Sequence, residues 1–195
     1  MAETIAAWIA RLASADSRER EQAAREIFRQ GCAAAEPILA KWFADRDFRL
    51  LARSGSTLLT VGIAVEPGRF AAIRAACGEP QLAEAPPDQD ALEFTLAFAH
   101  GVRLDVLTTR DPAGQGALAK FLARFGEGIQ QIECDVRDVS RATQILRTRF
   151  ASEPVYPETR AGADGTRVNF FLAPAGENRK ILIELVETPA GKKNK

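Results

Sequence analysis

The sequence has little of what a metal centre, a disulfide scaffold or a membrane anchor needs. Its 195 residues include one histidine and three cysteines. Cys32, Cys77 and Cys134 lie too far apart for a metal-binding spacing, and an odd number of cysteines cannot all form pairs. Free thiols in a reducing compartment are therefore expected. No apolar run approaches the roughly 20 residues that a membrane span requires.

An excess of charge of one sign is also missing. The 26 basic and 26 acidic residues give a formal net charge of zero, so no overall field attracts nucleic acid or an anionic membrane. Residues 1–12 mix acids and arginines with apolar residues at helical spacing, which is not the pattern of a secretory signal. We expect a cytoplasmic globular protein with no nucleic-acid or membrane partner.

The first part of the chain predicts helices only. Apolar spacing and capping residues place them over 3–13, from Asp16 or Ser17 to a stop at Gly31, over 34–44, and from 46 to 53. The small and apolar residues from Asp16 to Leu39 resemble a single HEAT-type repeat. Since such repeats need neighbours on which to bury their faces, residues 1–55 are expected to cap the rest of the chain. An arm that binds a partner protein is the alternative.

Residues 56–188 look like two copies of one unit. In the strand 60–65 and the strand 128–136, Val61 matches Ile132 and Thr60 matches Gln131. Each strand is followed by a helix and three further strands, which predicts two βαβββ modules in an α+β fold. The modules span about 57–110 and 127–188, and 189–195 is expected to be a disordered basic tail.

The remaining helices and strands are predicted from the period of the apolar residues, from helix-capping residues and from turn residues. Helices are predicted from Pro67 to Cys77, within 111–125, and from an N-cap at Asp138 to Phe150. His100 is expected in a solvated hairpin turn. The other strands are predicted at 81–85, 91–99, 102–108, 153–156, 167–172 and 180–186, with a loop at 160–165 and turns at 86–90 and 174–179.

Two carboxylates occupy equivalent places in the repeat. Asp105 and Glu184 each lie in the last strand of a module, and each points away from the apolar residues beside it. A pseudo-two-fold relation between the modules would bring both acids together with Thr60 and Gln131. We expect these four side chains to surround one cavity in a curved sheet.

Several segments resemble methylmalonyl-CoA epimerases. The matching segments are Val61–Val65, Arg103–Leu107, Leu118–Leu122, Gly126–Ile132, Gly165–Val168 and Ile181–Glu187. Over about residues 57–188, the chain is similar to the vicinal oxygen chelate superfamily, which includes glyoxalase I, extradiol dioxygenases and bleomycin-resistance proteins. The resemblance implies two βαβββ modules that form an open, barrel-like cleft.

The chain departs from this family at the metal ligands. The epimerases carry histidines at the positions of Thr60 and Gln131, a Gln or Glu at Asp105, and a Glu at Glu184. Without imidazole, a transition-metal site loses its best ligands, so no metal cofactor is expected. The alternative is a hard cation (Mg²⁺, Ca²⁺ or Mn²⁺) held by oxygens of Asp105, Gln131 and Glu184.

The charges near these positions leave two questions open. Glu133 lies on the same strand face as Gln131, together with Asp135, and both acids are expected to be solvated at the mouth of the cleft. Arg103 lies on the face of Asp105, where it would either neutralise an acid or favour an anionic ligand.

Three functions are compatible with this pattern. We favour a glyoxalase-like or epimerase-like protein that has lost the metal-dependent reaction and binds a small polar or anionic molecule. The second is an active isomerase or lyase that uses a hard cation or no metal, with Asp105 or Glu184 as base. The third is a protein-interaction module that uses the helical extension. A homodimer is a candidate assembly, and the residues expected to bind the ligand are Thr60, Arg103, Asp105, Gln131, Glu133 and Glu184.

Overall fold

A computed structural model describes residues 3–53, 59–86, 89–174 and 180–189. The helices are α1 Ile5–Arg11, α2 Ser17–Ala44, α3 Arg46–Leu51, α4 Pro67–Ala76, α5 Ala117–Phe125 and α6 Val139–Phe150. The strands are β1 Leu59–Ala64, β2 Leu92–Ala97, β3 Arg103–Thr108, β4 Gly128–Asp135, β5 Arg160–Ala161, β6 Arg167–Pro174 and β7 Lys180–Glu187. The predicted α+β class is confirmed: a helical region precedes a curled mixed sheet.

The two modules join side by side in one sheet of strand order β2-β3-β1-β4-β7-β6-β5. β1 is parallel to β3, and β4 is parallel to β7. β1 and β4 pair antiparallel at the centre, where Val61 lies opposite Ile132. The relation between the modules is therefore a pseudo-two-fold about this central pair.

The helical region packs on the outer face of the sheet, where the apolar side chains of β1 and β4 are buried. Gly31 of α2 makes the closest approach. A Cβ atom at Gly31 would lie 2.7 Å from both γ-carbons of Val61 and 3.0 Å from Cδ1 of Ile132. Since only a residue without a side chain fits there, Gly31 allows α2 to cross the line where the two modules meet.

The predicted helix stop at Gly31 is wrong. α2 runs without interruption from Ser17 to Ala44 and includes Pro37. Glycine costs a helix interior about 1 kcal/mol relative to alanine, and the close packing on the sheet outweighs that cost. The pair of helices that a HEAT-type repeat needs is not formed by this stretch, and the HEAT resemblance is not confirmed.

The predicted strand at 81–85 is also wrong. Ala83 makes one strand-like hydrogen bond, from its N–H to the carbonyl of Glu93 at 3.0 Å. Its neighbour Glu84 bonds instead to the second module: the Glu84 N–H donates to Asp164 Oδ1 at 2.9 Å, and the Asp164 N–H donates to the Glu84 carbonyl at 3.0 Å. The described part of the first module is therefore βαββ, and this reciprocal pair ties the two outer edges of the sheet together.

The second module differs from the prediction in one strand. The stretch 153–156 forms only an isolated bridge between Pro154 and Phe171, since a proline has no N–H to continue a ladder. The short strand Arg160–Ala161 lies where a loop was predicted. The predicted junction at Gly55–Ser56, most of the turn at 174–179 and the tail from 190 onward fall outside the described residues.

Several local predictions are confirmed. Asp138 caps α6 by accepting a hydrogen bond from the Arg141 N–H at 2.8 Å. His100 is exposed in the turn Ala99–Gly101. All three cysteines are free, with Cys134 buried and the other two half-buried. Among the helices that the structure describes, none has the length and apolarity to cross a membrane.

Candidate functional site

The inner face of the sheet, defined here as the face opposite α2, carries the polar residues singled out in the sequence. Gly62 pairs with Asp105 on one side and with Gln131 on the other. Glu133 pairs with Thr60 on one side and with Glu184 on the other. Because side chains alternate along a strand, all these positions point to the same side, on the four adjacent strands β3, β1, β4 and β7.

Gln131 owes its position to a glycine on the neighbouring strand. A Cβ atom at Gly62 would lie only 2.6 Å from Cγ of Gln131, so the absence of a side chain on β1 leaves room for the stem of the glutamine. The buried amide of Gln131 then reaches two carboxyl groups. Its Nε2 donates to Glu184 Oε2 at 2.5 Å and to Glu133 Oε1 at 3.1 Å.

The two acids that Gln131 contacts both have raised pKa values, which favours their neutral form. Burial raises the pKa of Glu184 well above its usual range, and the charges of Glu93 and Asp105 add to the shift, while the hydrogen bond from Gln131 opposes it. Burial likewise raises the pKa of Glu133, with contributions from the charge of Asp105 and from a hydrogen bond to Asp105. A bond between two carboxyl groups requires a shared proton. The expectation that Glu133 is solvated is therefore wrong, since its carboxyl lies inside the acid group.

A fourth acid, Glu93, was not among the predicted site residues. It lies on β2 opposite Leu107, and burial together with the charges of Asp105 and Asp164 raises its pKa to about 7. Glu93 also acts on Glu184, four strands away in the sheet, because the curl brings β2 and β7 near each other. The sequence did contain a signal for Glu93. It alternates with the apolar Phe94 on a strand that pairs with β3, so Glu93 lies on the same face of the sheet as Asp105.

Arg103 does not neutralise this group. Among the described residues it forms no ion pair, and its Nε is buried without a hydrogen-bond partner. Oδ1 of Asp105 is likewise buried without a partner. Two buried polar atoms, one donor and one acceptor, are thus left without a partner on β3, although buried polar atoms normally find one.

The acid group is not arranged as a metal cage. Within the part of the chain that the structure describes, no three or more His, Cys, Asp or Glu side chains are placed to hold a metal ion. Gln131 directs its amide nitrogen, which cannot coordinate a cation, at the two nearest carboxyl groups.

Solved structures provide the comparison that decides the family. No known family profile and no curated protein matches the chain. The methylmalonyl-CoA epimerase of Mycobacterium tuberculosis is 31% identical, with a TM-score of 0.55, and the match covers 70% of this chain and 93% of that protein. The chain belongs to the vicinal oxygen chelate superfamily.

Two other solved structures have a similar fold. The methylmalonyl-CoA epimerase of Streptomyces coelicolor, solved as a variant with 2-nitronate-propionyl-CoA, is 25% identical with a TM-score of 0.55, over 72% of this chain and 96% of that one. A hypothetical protein from Bacillus halodurans is 22% identical with a TM-score of 0.56, over 70% of this chain and 97% of that one; its likeness concerns the fold alone.

The residues at the superfamily's ligand positions fit a transition metal poorly. Thr60 offers a buried hydroxyl, and Gln131 offers an amide whose nitrogen is already engaged by Glu184. Both are neutral and weaker than the imidazoles that zinc, cobalt or nickel prefer. The chemistry that these side chains provide is hydrogen bonding and proton exchange.

Proposed function

We propose that this vicinal oxygen chelate protein binds a small polar molecule on its inner face and has lost the family's metal-dependent reaction. The observation that carries the proposal is the orientation of Gln131. At a position where the epimerases place a histidine ligand, its Nε2 donates to Glu184 and Glu133. The place of a metal ligand is thereby taken by a hydrogen-bond donor.

The unsatisfied groups on β3 support a polar ligand. A molecule that donates to Asp105 Oδ1 and accepts from Arg103 would satisfy both buried atoms, and each unmade bond of this kind costs about 1–3 kcal/mol. Four acids and one arginine lie on this face of the sheet, so a neutral molecule with donors and acceptors suits it better than a polyanion. Burial raises the pKa of Glu133 and of Glu184, and in its protonated form either acid can also donate.

A second candidate is an isomerase or lyase that works without a transition metal. The observation that favours it is the raised pKa of Glu93, about 7, on the same face as two buried acids whose pKa values burial also raises. A carboxyl group that titrates near neutral pH suits general acid–base catalysis. A hard cation on Asp105, Gln131 and Glu184 is the metal-assisted version of this candidate.

The decisive experiment is solvent deuterium exchange into methylmalonyl-CoA, followed by mass spectrometry. We expect no incorporation above the uncatalysed rate, with or without added Mg²⁺, Mn²⁺ or Co²⁺, because the site lacks an electrophile to stabilise an enolate. Exchange that persists in EDTA and disappears in Glu184→Gln would favour the metal-free isomerase. Exchange that EDTA abolishes would favour the hard-cation enzyme.

A metal titration of a variant with both histidines restored is a second test of the proposal. The double variant Thr60→His, Gln131→His restores two imidazoles on neighbouring strands, and calorimetry should show tighter binding of Co²⁺ or Zn²⁺ than in the natural protein. The single variant Thr60→His is the control and should gain less. No gain in the double variant would mean that the two positions do not face one site.

A further inference from the structure

A cavity lies on the outer side of the second module. It has a volume of about 400 Å³ and lies between α6 and the stretch 157–159. Asn169 of β6 lines it, while the next residue, Phe170, pairs with Glu184 on the strand alongside. Because neighbouring residues of a strand point to opposite faces, this cavity is separated from the acid group by the thickness of the sheet.

Over the described residues, the equivalent place in the first module has no such polar lining. Phe94 pairs with Val106 in the first module, and Asn169 pairs with Leu185 in the second; these are equivalent places in the repeat. In the first module, Phe94 packs edge-on against Phe70 of α4, with ring centroids 4.8 Å apart. The space between helix and strand is thus filled by apolar rings.

In the second module the same space has a polar floor. Asn169 is fully buried; its Nδ2 donates to Thr143 Oγ1 of α6 at 3.3 Å, and its Oδ1 accepts from the Phe170 N–H at 2.9 Å. Burying an amide is unfavourable unless its hydrogen bonds are satisfied, and the first module shows that the architecture works with phenylalanine. The fold itself therefore does not require the amide.

The walls of the cavity are polar, like its floor. Hydroxyl and carboxamide groups, which both donate and accept hydrogen bonds, come from Ser140, Thr143, Thr148, Thr159, Gln144 and Asn169. The lining carries one charge of each sign, on Arg147 and on Glu158. Arg147 also pairs with Glu153, which lies outside the lining, at 3.1 Å.

One edge of the cavity is held by an arginine. Arg167 Nη2 donates to Ser140 at 2.8 Å and to Thr159 at 3.2 Å, and the guanidinium also pairs with Glu187 at 3.4 Å. This arginine connects α6 to the stretch before β5. The edge is therefore pre-formed, which lowers the entropy cost of binding.

We infer that this cavity is a binding site for a small uncharged polyhydroxylated molecule of monosaccharide size. Its volume is at the lower end of the range of about 300–1,000 Å³ for ligand pockets. An array of hydroxyls and amides without net charge complements hydroxyl groups that each donate and accept. The site lies outside the superfamily's inner cleft and does not depend on the function proposed for that cleft.

The test is an NMR titration of the full-length ¹⁵N-labelled protein with D-glucose and with myo-inositol. We expect at least one of them to shift the backbone amides of Thr143, Gln144 and Asn169 with millimolar affinity. Thr143→Val removes one hydroxyl at nearly constant volume and should weaken binding about tenfold. Gln144→Ala alters an exposed wall residue and should weaken it without affecting folding.

The control is Thr95→Val, which removes an exposed hydroxyl on β2, away from the cavity; affinity should be unchanged. The inference is overturned if neither compound shifts the three amides, or if the shifts persist with unchanged affinity in Thr143→Val and Gln144→Ala. Shifts confined to inner-face residues would also overturn it, because the compound would then occupy the other site.

Discussion

The two modules share a strand, a helix and a strand hairpin in the same order, and they present different side chains on the inner face of the sheet. Gly62 pairs with Asp105 in the first module just as Glu133 pairs with Glu184 in the second. The first module therefore presents a glycine and one acid where the second presents two acids. Only the second module places its acids beside a buried amide donor, Gln131.

This difference shows how a duplicated fold produces an asymmetric site. The glycine of one module makes room for the glutamine of the other, since a Cβ atom at Gly62 would collide with Gln131. Neither module could form the acid group alone. The pseudo-symmetric sheet supplies the frame, and the unequal side chains decide which half carries the hydrogen-bonded core of the site.

The largest loss of stability is expected where Gly31 of α2 contacts both modules on the outer face of the sheet. Gly31→Ala places a Cβ 2.7 Å from Val61 and 3.0 Å from Ile132, so α2 must move away from both modules. We expect the free energy of unfolding to fall by about 3 kcal/mol, measured by urea denaturation. The matched control is Gly68→Ala in α4, where nothing lies within 4 Å of the new Cβ. Equal stability of the two variants would contradict the proposed role of the glycine.

The second variant tests whether Gln131 of the second module depends on Gly62 of the first. Gly62→Ala should displace the Gln131 side chain, break its bonds to Glu184 and Glu133, and lower the free energy of unfolding by about 2 kcal/mol. NMR of the Gln131 side-chain amide gives the direct readout. Gly128→Ala on β4, with open space around its Cβ, should leave that signal in place. If the Gln131 amide signal does not move in Gly62→Ala, the position of Gln131 does not depend on the glycine of the first module.

Stability should depend on pH through the acid of the first module. Glu93 has an ordinary pKa of 4.5 and a folded pKa of about 7, so the folded protein binds more protons than the unfolded chain between these values. The free energy of unfolding should therefore fall as pH rises from about 4.5 to about 7, by up to about 1.4 kcal/mol per pH unit. Below pH 4.5 this loss is absent.

The variant Glu93→Gln checks this assignment. It removes the titrating group and keeps the shape of the side chain, so urea denaturation at several pH values should give a flatter profile. A profile as steep as that of the natural protein would assign the whole pH dependence to Glu133 and Glu184, the acids of the second module.

The smallest effect is expected where the outer edges of the two modules meet. Asp164→Ala removes the acceptor for the Glu84 N–H and should lower the free energy of unfolding by about 1 kcal/mol. Asp164→Asn keeps an oxygen acceptor and tolerates the positive φ of 53° at this residue, so it should retain stability. Amide hydrogen exchange at Glu84 should increase in the alanine variant alone. Unchanged exchange there would mean that the edges stay together without this bond.

Much of the frame could be predicted because it depends on local patterns. Alternation of apolar residues placed β1 and β4. Val61 and Ile132, matched in the sequence as equivalent positions of the repeat, lie opposite each other at the centre of the sheet. Asp138 was recognised as a cap because its preference acts within one helical turn. The stretch 81–85 was misjudged since its partner is Asp164, about 80 residues away, which no local pattern reveals.

The sequence by itself determined the α+β class and the presence of two similar modules, since these follow from residue identity and from periods of 2 and 3.6. Only the tertiary structure decided that Glu93 joins the acid group, that Glu133 is enclosed rather than solvated, and that α2 continues through Gly31. Each of these depends on the desolvation or close approach of residues distant in the chain. Such effects arise only when the curled sheet brings those residues within a few ångströms of each other.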